Sequence, residues 1–175
     1  KLGQILSMRS DILPKEYCQA LTKLRSQVAP MPYEQVVSIV ESSYGRPLEE
    51  VFSSFDPQAL GSASIAQAHA AVLKSGENVV VKVQREGIHD IMSRDIMLLK
   101  QACKLLKYTP VGGLVDFNQV LDEMWLVAQE EMNFQTEAAN LEKFHKLNEE
   151  VNFVASPTLF REYTTTHVLV MERID

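Results

Sequence analysis

Apolar positions as far as Phe52 recur at helical spacing and are punctuated by prolines, whereas Phe55 to Val83 reads as strands and turns. Leu2, Ile5 and Leu6 share one helical face, which Asp11-Ile12-Leu13-Pro14 interrupts. Pro14 suits the first turn of a second helix, in which Tyr17, Ala20, Leu21 and Leu24 recur. Pro30-Met31-Pro32 ends that pattern, and a third helix carries Val36, Val37 and Val40 towards Gly45, a suitable helix end. Pro47 to Phe52 reads as one more short turn. Val72 and Leu73 mark a strand, Lys74 to Asn78 a turn, and Val79-Val80-Val81-Lys82-Val83 a buried β-branched strand. Two helical stretches follow, roughly Ile88–Lys107 and Phe117–Leu147, separated by a loop at Tyr108–Gly113. Strand candidates around Thr158–Phe160 and Thr166–Met171 close the chain. Helices, strands, long helices and further strands make an α+β arrangement.

The second long stretch changes phase. Leu121, Trp125, Ala128 and Met132 form one apolar stripe, and Phe134, Ala138, Leu141 and Phe144 another, so a bend or a new packing partner is expected near Asn133. Glu131 borders both stripes and Glu137 lies within the second. A carboxylate on a core-facing stripe needs a cation or donors. At about 100° per residue the two glutamates are offset by roughly 120°, so one unbroken helix cannot aim both at the same ammonium. One is expected to pair with Lys82 and the other with a different cation. The alternative is that both are solvated members of an acidic helix that also holds Glu123, Glu130 and Glu142.

Composition narrows the function classes. With 175 residues, 46% of them apolar, the chain can bury a sizeable core as one domain or a small domain with an appendage. A net charge of −6 argues against nucleic acid as the main partner. The two cysteines, Cys18 and Cys103, are far apart, and no Cys/His cluster suggests zinc or a disulfide framework. No apolar run approaches the roughly 18–20 residues that span a bilayer. Apolar positions near Met92, Met97 and Leu98 read as a core stripe rather than a membrane-facing one. The chain reads as a segment of a longer protein.

Lys82 carries the strongest chemical signal. A cation in the middle of a buried strand is costly unless an anion meets it. Upstream lies the small-residue stretch Gly61-Ser62-Ala63-Ser64-Ile65-Ala66-Gln67, then a strand and a turn. A small-residue loop, strand, turn and lysine-bearing strand is how kinase-like folds present phosphates, although a lysine at a strand edge could simply reach water. At the start of the chain, Lys1 and Gln4 share a helical face beside Gly3. His69, His89, His145 and His167 have no metal-ligand spacing and no partnered nucleophile, so they read as surface or structural.

Together these residues resemble the UbiB-type atypical kinase family, the kinase-like proteins linked to coenzyme Q and other prenyl-lipid metabolism. Lys1-Leu2-Gly3-Gln4 matches its KxGQ motif, and Gly61 to His69 resembles the alanine-rich loop that replaces the usual glycine-rich loop. Val80 to Gln84 is similar to the nucleotide-binding lysine strand, and Glu131 to Asn140 to the helix bearing ExD and EAxN. Val168 to Asp175 resembles the last N-lobe strand entering the hinge.

The resemblance implies a helical KxGQ extension over residues 1–53 and a kinase-like N-lobe over 54–175, with about five antiparallel strands. Lys82 would contact the phosphates of ATP and pair with Glu137, while Glu131 would face Lys1. Gly61, Ser62, Ala63, Ser64 and Ile65 would lie over the nucleotide, and adenine would lie against Met171, Glu172 and Arg173. Lys1 and Gln4 would face the pocket, favouring ATPase or lipid-related activity over protein phosphorylation. ATP and Mg2+ are the implied cofactors. Prenyl-lipid or lipid-biosynthesis proteins and a peripheral membrane contact are the implied partners. The compartment would be the bacterial cytoplasm or inner-membrane face, or an organelle. Two departures stand out: Asn133 replaces the ExD aspartate, and no catalytic-loop aspartate, metal-binding asparagine or DxG motif is present. The chain alone is therefore expected to be inactive. A regulatory nucleotide-binding module without catalysis is the rival reading.

Overall fold

The computed structural model describes residues 28–106, 117–149, 151 and 153–174. The first two expected helices, with Lys1 and Gln4, and the Tyr108–Gly113 loop lie outside those residues. Helix α1 (Tyr33–Tyr44) starts after Pro32 and buries Val36 and Val40. Gly45 ends it at φ 66°, and its amide donates to Glu41 O at 2.8 Å. That left-handed backbone is the reason for a glycine there. A single turn, α2 (Leu48–Val51), leads into the sheet.

Four strands form an antiparallel sheet in the order β1 (Phe52–Ser62), β2 (Ala66–Leu73), β3 (Asn78–Gln84) and β4 (Val168–Glu172). Strand β1 begins at Phe52, earlier than its composition suggests, and pairs with β2 through three register shifts. Pro57, which has no amide to donate, lies in the irregular stretch between Phe55 and Ala59. The expected fifth strand is not formed among the described residues. Of Thr158–Phe160 only Leu159 bridges, to Met171. Pro157 precedes it without a donor, and a 3-10 turn (Arg161–Tyr163) carries the chain away.

Alternation along β3 divides the interior in two. Val79, Val81 and Val83 pack with Leu73, Val168 and Val170 against Val36 and Val40 of α1. Lys82 and Gln84 point to the other face, where Leu169 and Ala66 pack against Phe134 and Ala138 of α5 (Phe134–Leu147).

Helices α3 (Ile88–Leu106) and α4 (Phe117–Glu131) pack on each other. Lys100 is paired there with Asp122, and the His89 ring lies 5.3 Å from that of Trp125. The expected core stripe on α3 is only partly present: Met92 is half-buried, but Met97 and Leu98 are each 53% exposed. Contact with α4 occupies one face, and positions 97 and 98 turn away from it at roughly 100° per residue. The bend expected near Asn133 is a full break. Helix α4 ends at Glu131, and α5 starts again at Phe134 with Asn133 as its N-cap, at φ −108° and ψ 101°.

Candidate functional site

Lys82 lies mid-strand, opposite Ala68 of β2 and Leu169 of β4. Its Nζ donates to Glu137 Oε1 at 2.8 Å and to Oε2 at 2.7 Å, and sits 4.8 Å from the centre of the Phe134 ring. Phe134 and Glu137 are three residues apart on one face of α5, so one helix supplies both the aromatic and the carboxylate. The lysine and glutamate side chains remain 30% and 41% exposed, so the pair is not sealed into the core.

Glu131 does not share this contact. It closes α4, half-buried, on the far side of the break. The lysine expected opposite it, Lys1, is outside the described residues, as is Gln4. Asn133 Oδ1 accepts from Gln135 N at 3.0 Å. Asparagine and aspartate cap helices about equally well, so the amide supplies here the acceptor that a carboxylate would.

Gly61 and Ser62 end β1, and Ala63, Ser64 and Ile65 make the turn into β2, just beyond the Ala68–Lys82 pair. Gly61, Ala63 and Ser64 are exposed. A Cβ placed on Gly61 would meet nothing within 4 Å, so packing inside the lobe does not explain the glycine. The turn is closed by Ala63 N to Ala66 O at 2.8 Å and tied to the end of β3 by Arg85 N to Ile65 O at 2.8 Å.

Arg85 is the largest contribution that sequence reasoning missed. Its Nε donates to Ala63 O at 2.8 Å, and its Nη2 to Ser62 Oγ at 2.6 Å and Ala29 O at 2.7 Å. One guanidinium thus clamps the turn and the segment leading into α1. Gln67 ties the same segment from beneath. Its Oε1 accepts from Met31 N at 2.6 Å, and its Nε2 lies 2.9 Å from His69 Nε2. His69 Nδ1 is 2.8 Å from the Asp56 carbonyl, which can only accept. The imidazole is therefore protonated on Nδ1 and receives at Nε2, a structural role. Gln84 and His167 were also missed as a pair: Gln84 Oε1 is 2.6 Å from His167 Nδ1. The available signal was parity, because Gln84 shares with Lys82 the position of a polar residue in a buried strand.

At the end of β4, Met171 pairs with Val80. The Glu172 amide donates to Thr158 O at 2.8 Å, and the Arg173 amide to Asn78 O at 3.1 Å. Thr158 returns two bonds to Glu172 Oε2, from its amide at 3.0 Å and its hydroxyl at 2.8 Å. These bonds hold the Glu172 carboxyl below its ordinary range, the amide contributing most. A groove of about 370 Å³ lies elsewhere, between α1 and the turn from β3 to α3, lined by Ser38, Ser42, Gln84, His89 and His167 among others. It does not include Lys82. Among the described residues no cluster of three or more His, Cys, Asp or Glu could hold a metal ion, and no helix is long and apolar enough to cross a membrane.

Residues 23–175 match the ABC1 atypical kinase-like domain. Among curated proteins, the chain is 39% identical over 175 residues to the "Probable protein kinase UbiB" of Marinobacter nauticus, covering 99% of this chain and 32% of that protein. It is 39% identical over 177 residues to the chloroplastic "Protein ACTIVITY OF BC1 COMPLEX KINASE 8" of Arabidopsis thaliana, covering 99% and 23%. The chain thus spans a third or less of the length of these two relatives. Among solved structures it resembles Rv3197 of Mycobacterium tuberculosis, determined in complex with erythromycin. The TM-score is 0.71 at 30% identity, covering all of this chain and 44% of that one.

Proposed function

The chain belongs to the ABC1 atypical kinase-like family, and from that premise we propose that it is the nucleotide-binding lobe of an ATP-dependent enzyme. The observation that carries this reading is the two-pronged ion pair between Lys82 and Glu137, at 2.7 and 2.8 Å, beside an exposed small-residue turn. In kinases a strand lysine paired to a helix glutamate is the arrangement that meets the nucleotide phosphates. Lys82 fits that role because its ammonium is held by Glu137 and Phe134 while its side chain stays 30% exposed. Gly61, Ser62, Ala63, Ser64 and Ile65 cover the phosphates, with Arg85 holding their turn in place. The base lies at the end of β4, near Met171, Glu172 and Arg173. We propose that Lys1 and Gln4, which lie outside the described residues, serve the same pocket, Lys1 as the cation for Glu131.

Magnesium would be held mainly with the nucleotide, by ligands that the described residues do not supply, and would offset charge on the transferring phosphoryl group. The work of this chain is to bind and orient the phosphates and shield them from water. The substrate of the intact protein belongs to ubiquinone or other prenyl-lipid metabolism, with lipid-biosynthesis proteins and a membrane surface as partners. The rival reading, a regulatory module without catalysis, drew on Asn133. That side chain caps α5, so it has a structural role under either reading, and nucleotide binding without hydrolysis in the intact protein would favour the rival.

The test is a thermal shift of the intact protein. MgADP at roughly 100 times its Kd should stabilise the wild type by about 2.7 kcal/mol. Lys82→Ala should abolish the shift. A shift of the same size in the variant would overturn the phosphate role.

A further inference from the structure

We propose that Gln84 is a positioning residue that holds the first turn of α5 against β3 and so keeps Glu137 opposite Lys82. The functional consequence rests on the reading of Lys82 as the phosphate ligand. The physical hold does not.

Gln84 is 5% exposed, and it follows Lys82 by two positions, so both side chains leave β3 on the face that meets α5. Its Nε2 donates to Met132 O at the break between α4 and α5. In a continuous helix that carbonyl would be met by the Thr136 amide, which turns instead to Asn133 O at 3.0 Å. Gln84 therefore supplies the donor that the break removes, and an unmet carbonyl there would be costly. Because Nε2 must face a carbonyl, Oε1 faces His167 Nδ1, which donates to it at 2.6 Å. The backbone closes the same junction, Gln84 N donating to His167 O at 2.9 Å.

The residues just before β4 also carry the start of α5. Phe134 N donates to Thr166 O at 3.1 Å, and Gln135 Nε2 to Thr164 O at 3.0 Å. The first turn of α5 is thus fixed at a junction that joins the lysine strand, the turn before β4 and the helix break. Glu137 lies within the first turn of α5, about 4.5 Å along the axis from Phe134 at 1.5 Å per residue. A shift of the first turn is passed almost undiminished to a contact that has both carboxylate oxygens within 2.8 Å of Nζ.

Two variants separate this role from ordinary packing. Gln84→Leu removes donor and acceptor, whereas Gln84→Glu keeps an acceptor for His167 and loses the donor to Met132 O. Amide exchange of the intact apo protein is measured first. Both variants should accelerate exchange at Phe134 to Glu137 by about tenfold or more while the β2–β3 ladder keeps its protection. MgADP titration by calorimetry should then show affinity reduced about tenfold, as expected for one buried hydrogen bond passed on to the site. Unchanged exchange at α5, uniform loss of protection across the lobe, or faster α5 exchange with unaltered MgADP affinity would each overturn the proposal. If Lys82→Ala also leaves MgADP affinity unaltered, the phosphate reading fails instead, and apo exchange alone decides the hold of Gln84.

Discussion

At the scale of single residues, the Lys82–Glu137 pair contributes little to stability. Both side chains are about a third exposed or more, and ion pairs that wet are worth roughly 0–1 kcal/mol. A lysine in the middle of an otherwise buried strand is hard to justify for so small a return, so the pair is better explained by what it presents than by what it holds. Glu137→Gln should accordingly cost no more than about 1 kcal/mol in denaturant unfolding. The same variant should weaken MgADP binding by about tenfold or more, the equivalent of roughly 1.4 kcal/mol. Loss of stability without loss of affinity would reduce the pair to a structural contact. At Asn133 the amide that departs from the family motif still caps α5, a role that an aspartate would fill equally well.

At the scale of elements, legibility followed periodicity. Helix α1 and its Gly45 end, the lysine strand and the phase change near Asn133 were all visible as spacings of apolar residues. Strand β1 was not, because Phe52 to Ser62 holds Pro57 and mostly exposed positions and is defined by pairing with β2 rather than by its own pattern. The fifth strand was over-read, since Thr158–Phe160 has strand-like composition but is cut short by Pro157 and the 3-10 turn. The Arg85 clamp was illegible for a further reason: its acceptors are two carbonyls and a hydroxyl, brought from residues 29, 62 and 63 by the fold. Arg85→Ala should leave the β3–β4 ladder protected while amide exchange at Ala63 to Ile65 accelerates by about tenfold or more. Protection of that turn equal to the wild type would mean that the hairpin alone sets its conformation.

At the scale of the whole molecule, the described residues build one sheet with α1 on one face and α5 on the other, and the candidate site lies on the α5 face. That only one of Glu131 and Glu137 would meet Lys82 was expected from helix angles, and the choice of Glu137 came from the family resemblance. The break between α4 and α5 is what separates the two glutamates in the fold. What sequence could not supply was the support: Arg85 behind the turn, and Gln84 with His167 behind the helix break. Apolar side chains on the outer sides of α3 and α4, Leu98 and Val127 among them, are exposed in a chain that spans only part of its relatives. The central claim concerns one atom, Lys82 Nζ, and it can be tested directly. The intact protein is treated with an acyl-phosphate derivative of ATP, which transfers its acyl group to an amine held beside the phosphates, and modified lysines are identified by mass spectrometry. Modification concentrated on Lys82 and blocked by MgADP is the predicted result. Labelling that spares Lys82, or that MgADP does not block, would contradict the account.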